Sequence, residues 1–236
     1  MKRAVESVDK PPVIAEISLT GGRTTTGVVR VGDTVRRSQG ARSAFVHRLL
    51  QSLAASGFTG APRFLGIDDR QREILSFMPG DVPSNLGVFT DVQLDAASRL
   101  LRALHDATQD SALRGSSEVV SHGDASPCNA VFMDGLPYAW IDFDAASPGK
   151  RSEDLGYAAW LWLDIGDDES PPEIQSRRLA RFFAEYGAAP TIVPVQAVLD
   201  AQTRLCDRDG GHKAWAERCR IWTERHRVAL STPNSA

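Results

Sequence analysis

Apolar positions follow a short-range alternation at the start of the chain and switch to a helical period near residue 43. Val13-Ile14-Ala15-Glu16-Ile17-Ser18-Leu19 predicts a strand, Thr20-Gly21-Gly22-Arg23 a turn, and Gly27 to Val31 a second strand. Gly32-Asp33 turns the chain into a short third strand, Thr34 to Ser38. Over residues 43–56, Phe45, Leu49, Leu50 and Leu53 fall on one helical face, and Gly57 ends that helix. Pro62 to Ile67 and Glu73 to Met78 predict two further strands, with Pro79-Gly80 opening a linker to residue 89. Thr90 then caps a helix, Gln93 completes a capping box, and Leu94, Ala97, Leu101, Leu104 and Ala107 form its apolar face. Residues 109–118 read as a polar loop.

Beyond residue 142, Leu155 to Leu163 predicts a buried helix, and Pro171-Pro172 suits the first turn of another that runs to Tyr186. A final helical pair spans residues 194–227, broken at Gly210-Gly211, with a polar tail after Leu230. No internal repeat is present. Strands precede helices, so the expected class is α+β. The expected division is a flexible tail over 1–12, an N-terminal lobe over 13–80 and a C-terminal lobe over 81–230.

The 236 residues, 42% of them hydrophobic, suffice for two small lobes around a shared cleft. The formal net charge, 27 − 30 = −3, implies no broad basic surface and argues against nucleic acid as the main partner. Cys128, Cys206 and Cys219 are widely spaced, which disfavours a zinc site or disulfide framework and fits a reducing, cytoplasmic setting. The opening MKRAVESVDKPP carries basic residues with no apolar stretch behind them, and no run reaches the length of a membrane span. Neither a secretory leader nor a membrane partner is therefore expected.

The segment from Val119 to Asp142 carries the chemistry. In His122-Gly123-Asp124-Ala125-Ser126-Pro127-Cys128-Asn129, a carboxylate and an amide share one tight loop that Pro127 helps to fix. Phosphoryl transfer needs a carboxylate to orient the attacking hydroxyl and accept its proton, and oxygen ligands to hold Mg²⁺ on the nucleotide phosphates. Asn129 leads into Ala130-Val131-Phe132, a Met133-Asp134-Gly135 turn and Tyr138-Ala139-Trp140-Ile141. This is a strong hairpin pattern that would return Asp142 beside Asn129. Protein kinases divide the labour in the same way. That likeness, rather than spacing alone, points to kinase chemistry.

His122-Gly123-Asp124 and Asn129, with Ile141-Asp142-Phe143-Asp144, resemble the aminoglycoside phosphotransferase and choline kinase-like superfamily, which has His-Gly-Asp where protein kinases have His-Arg-Asp. Leu104-His105, Asp154-Leu155 and Ser76-Phe77-Met78-Pro79-Gly80 add to the likeness. The chain also resembles small actinobacterial-type members of this superfamily, some of them trifolitoxin-immunity-like. The likeness covers about residues 13–190.

The resemblance implies a two-lobed protein-kinase-like fold, with a small antiparallel sheet lobe and a larger, mainly helical lobe. It implies Asp124 as the base or hydroxyl-orienting residue, His122 as a brace of the loop, Asn129 and Asp142 as Mg²⁺ ligands, and Asp144 as support behind them. Ser76, Phe77 and Met78 would meet the adenine of ATP, and Gly21 and Gly22 would lie in the phosphate loop. The third-strand lysine of the family is replaced: Arg36, which follows an apolar residue as that lysine does, is expected on the phosphates in preference to Arg37. The helix glutamate that pairs with the lysine is missing, and His47 stands near its place.

Plainer roles are expected elsewhere. His105 reads as a satisfied helix-end histidine, Asp154 as a cap or brace of the loop, and Cys128 as a small packed residue. Arg36 and Arg37 also fit an exposed basic edge. Trp160 and Trp162 read as core, with one indole as an alternative wall of the acceptor pocket. Asp164, Asp167, Asp168 and Glu169 read as a solvated loop, although a cationic acceptor would also suit them. The expected activity is ATP- and Mg²⁺-dependent transfer of a γ-phosphoryl group to a hydroxyl of a small molecule, aminoglycoside-like or another metabolite. The alternative is a catalytically weak or inactive binding or immunity protein on the same fold. A protein kinase is not expected, because no activation segment closing on Ala-Pro-Glu follows Asp142.

Overall fold

The computed structural model describes residues 15–19, 27–166, 170–207 and 211–232. The tail before residue 15, the Thr20-Gly21-Gly22-Arg23 turn, the acidic residues Asp167, Asp168 and Glu169, and Gly210 lie outside the described residues.

Strands β1 (Ile17–Ser18), β2 (Val29–Val31), β3 (Thr34–Ser38), β4 (Phe64–Ile67) and β5 (Arg72–Ser76) form an antiparallel sheet in the order β1-β2-β3-β5-β4. β2 starts later than its apolar run predicts, because Gly27 sits at φ 81°, outside the extended region. β5 stops at Ser76, opposite the first residue of β3, although the Phe77 N–H still donates to the Asp33 carbonyl at 2.9 Å. The ladder sets Val35 opposite Leu75, Arg36 opposite Ile74 and Arg37 opposite Glu73. Helix α1 (Ser43–Ala55) joins β3 to β4 and buries Val46, Leu49, Leu50 and Leu53.

Asp81 and Phe132 then exchange backbone hydrogen bonds of 3.0 and 2.8 Å, which pins the linker after β5 to the second half of the chain. Helix α2 (Asp91–Thr108) has the expected capping box: Thr90 Oγ1 accepts from Gln93 N–H, and Gln93 Oε1 accepts from Thr90 N–H. Its buried Leu94, Ala97, Leu101 and Leu104 join one core with Leu155, Trp160, Trp162, Leu179 and Phe182. Those residues lie on α3 (Arg151–Leu163) and α4 (Pro172–Tyr186). Helices α5 (Pro194–Cys206), α6 (Lys213–Arg225) and the short α7 (Arg227–Ser231) complete this part. The predicted final pair is thus two helices and one added turn.

Between α2 and α3 lie two small ribbons. β6 (Val119–Ser121) pairs with β9 (Ser147–Gly149), and β7 (Ala130–Met133) pairs with β8 (Leu136–Trp140). The second is the predicted hairpin. Its Asp134-Gly135 turn has both residues at positive φ, 52° and 78°, the geometry that favours Asp-Gly in two-residue loops. The β6–β9 ribbon has no clear sequence signal, being only three residues on each side.

Candidate active site

The loop after β6 is held from below by one buried carboxylate. Asp154, 3% exposed, accepts hydrogen bonds from the backbone N–H of His122 at 2.7 Å and of Gly123 at 2.9 Å, and from His105 Nε2 at 3.0 Å. The Tyr186 hydroxyl lies 2.6 Å from His105 Nδ1 and fixes the ring from its other side. Burial alone would raise the Asp154 pKa. The hydrogen bonds from His105 and from the His122 backbone more than offset it, and the carboxyl is held below its ordinary range. His105 and Asp154 therefore hold the structural places expected of them.

Gly123 sits at φ 78°, and a Cβ there would overlap the Ala145 carbonyl. Only glycine lets the loop pass so close to the turn that follows Asp142. His122 is buried. Its Nε2–H donates to the Ile141 carbonyl at 3.0 Å, and its Nδ1 accepts from the Asp124 N–H at 3.3 Å. Both ring nitrogens are committed to the backbone, so His122 braces the loop and is not placed to shuttle protons.

Asp124 is thereby presented with both carboxylate oxygens oriented. Oδ2 accepts from Asn129 Nδ2 at 2.9 Å, and Oδ1 accepts from the Tyr157 hydroxyl at 3.0 Å. Asn129 Nδ2 also donates to the Asp124 carbonyl at 3.0 Å, which leaves its Oδ1 uncommitted to the loop. The Ile141 N–H donates to the Asn129 carbonyl at 2.9 Å, so the hairpin sets Asp142 next to Asn129 as predicted. Both residues line a cavity of about 390 Å³. An amide oxygen and a carboxylate suit a hard divalent cation whose remaining positions are filled by phosphate and water. The donor set thus fits Mg²⁺. Burial, with the adjacent Asp144 carboxylate, pushes Asp142 above the usual range, and Arg37 offsets part of that. A cation there would favour the ionised form.

Ser76, Phe77 and Met78 line the same cavity, as do Leu75 and Val131. The Ser76 hydroxyl accepts from the Arg63 N–H at 2.8 Å, and Arg30 lies over the Phe77 ring at 3.9 Å. Gly21 and Gly22 lie outside the described residues.

Arg36 is not in the cleft. It points to the opposite face of β3, where Nη1 donates to Thr34 Oγ1 at 2.5 Å and Nε lies 3.8 Å from Asp68. The preference for Arg36 over Arg37 is therefore corrected: side chains alternate across a strand, and Arg37 shares the cleft face with Val35. Arg37 is 7% exposed. Its Nε lies 3.0 Å from Glu73, Nη2 and Nη1 donate to Asp144 at 2.6 and 3.1 Å, and Nη1 also reaches Asp142 at 3.5 Å. Burial would lower its pKa, but Asp144 and Glu73 outweigh that and hold it raised. His47 does not meet Arg37; its Nε2 bonds Glu73 at 2.9 Å.

Two residues escaped the sequence reading, Glu73 and Tyr157, and Arg37 was named but ranked behind Arg36. The period-two alternation from Val35 would have found Arg37. Tyr157 follows Asp154 by one helical turn, which puts both on the side of α3 that faces the loop. Trp160 and Trp162 are core as expected, and the Trp162 Nε1–H donates to the Ala125 carbonyl at 3.0 Å. Asp164 ends α3 in a left-handed conformation, φ 50°.

Residues 90–191, which hold the loop, the hairpin and α2 to α4, match the sequence model of the phosphotransferase enzyme family. An aminoglycoside phosphotransferase from Streptomyces rimosus, solved with ADP and streptomycin, superposes with a TM-score of 0.53 at 14% identity, covering 87% of this chain and 90% of that one. The fold is that of the aminoglycoside phosphotransferases. A macrolide 2′-phosphotransferase from Brachybacterium faecium shares it (TM-score 0.53, 17% identity, 89% and 88% covered). So does a Plasmodium vivax ethanolamine kinase (TM-score 0.53, 13% identity, 86% and 80% covered). In sequence, the trifolitoxin immunity protein of Rhizobium leguminosarum bv. trifolii is 37% identical over 170 residues, 65% of this chain. The chain spans 64% of the length of that curated relative. The resemblance read from the His-Gly-Asp loop holds, and so does the expected kinase-like architecture of an N-terminal antiparallel sheet followed by helices. Among the described residues, no helix is long and apolar enough to cross a membrane.

Proposed function

We propose that the protein transfers the γ-phosphoryl group of ATP, with Mg²⁺, to a hydroxyl of a small molecule. The observation that carries this reading is Asp124, oriented through both oxygens by Asn129 and Tyr157, on a loop that also brings Asn129 and Asp142 together at one end of a cavity. The acceptor hydroxyl would bond to Asp124 and give up its proton there as its oxygen attacks the γ-phosphorus and ADP departs. Asn129 and Asp142 would hold the cation, which neutralises charge on the transferring group when bound. Arg37 would meet the phosphates. The Met78 backbone, which makes no hydrogen bond to the described residues, would take the purine. The phosphotransferase family match over residues 90–191 supports the reaction class. An aminoglycoside-like compound or another hydroxylated metabolite is the acceptor class, supported by the fold alone.

A second reading is an immunity or binding protein with weak or no turnover. The Rhizobium relative and the engagement of Arg37 with Asp142 and Asp144 favour it. Thermal shift tests nucleotide binding, and turnover separates the two. Mg²⁺-ATP at about 100 times its dissociation constant should stabilise the protein by about 2.7 kcal/mol. A screen of hydroxylated metabolites and aminoglycosides for ATP consumption then identifies the acceptor. Asp124→Ala should keep the nucleotide shift and abolish turnover. No shift at millimolar ATP would remove the enzyme reading, and undiminished turnover in Asp124→Ala would remove Asp124 from the mechanism.

A further inference from the structure

Glu73 is fully buried, yet it belongs to neither the base nor the metal end of the cleft. Desolvating a carboxylate costs several kcal/mol unless its partners are well placed. Three groups surround this one: Arg37 Nε at 3.0 Å, in an ion pair whose N–H is not aligned for a hydrogen bond, His47 Nε2 at 2.9 Å and Ser43 Oγ at 3.5 Å. Arg37 faces it directly across the β3–β5 ladder. His47 and Ser43 both come from α1, the helix expected to carry the acid, and both approach Glu73 from behind. His47 is itself fixed by stacking on Phe64, with ring centroids 3.8 Å apart.

On its other side Arg37 is drawn toward Asp144 and Asp142. Without an opposing anchor at Nε, the guanidinium would be held only by the carboxylates at the metal end. We propose that Glu73 is the positioning residue for Arg37. It fixes Nε from within the sheet, so that the Nη groups stay where a polyphosphate can reach them. This rests on the nucleotide-binding reading above. Because both residues sit on neighbouring strands, sheet register sets the pair and α1 only backs it. In protein kinases the acid comes from the helix, and helix placement controls the pair.

Electrostatics alone makes the opposite prediction, which gives the test its sign. Neutralising a carboxylate near a polyanion site should tighten ATP binding, whereas loss of an anchor should weaken it. Calorimetric titration of Mg²⁺-ATP and of adenosine into wild type, Glu73→Gln, Arg37→Met and the double variant reads both. The expected result is about tenfold weaker Mg²⁺-ATP binding in Glu73→Gln, unchanged adenosine binding, and no further loss from Glu73→Gln once Arg37 is Met. Glu73→Asp keeps the charge, withdraws the carboxylate by one methylene and should give the same loss; it serves if Glu73→Gln fails to fold. Unchanged or tighter Mg²⁺-ATP binding, an equal loss for adenosine, or an undiminished Glu73→Gln loss in the Arg37→Met background would overturn the proposal while the nucleotide reading stands. A wild type that binds neither ligand would overturn both.

Discussion

Replacing Asp154 tests whether the His122–Asn129 loop is held by one buried carboxylate. Three N–H groups converge on it: two from the backbone of His122 and Gly123 and one from His105. Asp154→Ala leaves all three without an acceptor in a dry site. Each such group costs about 1–3 kcal/mol. Part of that is returned because a buried charge is also removed, so the expected loss is about 3–5 kcal/mol. That is a large fraction of the roughly 5–15 kcal/mol that holds a protein together. Asp154→Asn keeps one acceptor oxygen but sets an NH₂ against an N–H, and should cost about 2–3 kcal/mol. Urea unfolding followed by the fluorescence of the buried Trp140, Trp160 and Trp162 measures both.

The pH dependence has a definite sign. The folded carboxyl titrates below its ordinary value, so its contribution is complete above the unfolded pKa of about 3.9 and is lost as pH falls toward the folded value. The stability gap between wild type and Asp154→Asn should therefore narrow by about 1.4 kcal/mol per pH unit below about pH 4. A gap under about 1 kcal/mol for Asp154→Ala, or one that does not change with acid, would refute the reasoning.

Two further substitutions separate loop geometry from chemistry. Gly123→Ala forces a side chain onto a backbone at φ 78° and into the Ala145 carbonyl, so its melting temperature should fall with a loss of about 2 kcal/mol or more; an unchanged melt would mean the loop can shift aside. Tyr157→Phe removes only the hydroxyl bonded to Asp124 Oδ1, so turnover should fall about tenfold while stability changes by less than about 1 kcal/mol and the Mg²⁺-ATP shift persists. Equal turnover in wild type and Tyr157→Phe would show that Asn129 orients the carboxylate alone.

The elements legible in the sequence were those with local causes. The Thr90 capping box, the helical run from Phe45 to Leu53 and the Asp134-Gly135 hairpin each depend on groups a few residues apart, and each forms as predicted. Strand ends were harder, since they are decided by partners rather than by the strand. β5 closes at Ser76 because its partner β3 begins opposite it at Thr34, and β6 exists only because residues 147–149 lie beside it.

The same rule divides the cleft. The end with Asn129 and Asp142 is built from one stretch of chain, the loop from His122 to Asn129 and the hairpin that brings back Asp142, so residue types and spacing were enough to place them. The end with Arg37 depends on pleat and register. Reading Arg36 by its neighbour ignored the face on which Val35 points, and one residue along a strand is the whole difference between the cleft and the outer surface. Glu73 was harder still. It meets Arg37 only because β5 pairs with β3 across an intervening helix and strand, and no motif spans that distance. The departure at the helix glutamate therefore leaves the cation paired all the same: the carboxylate that meets Arg37 sits in the sheet.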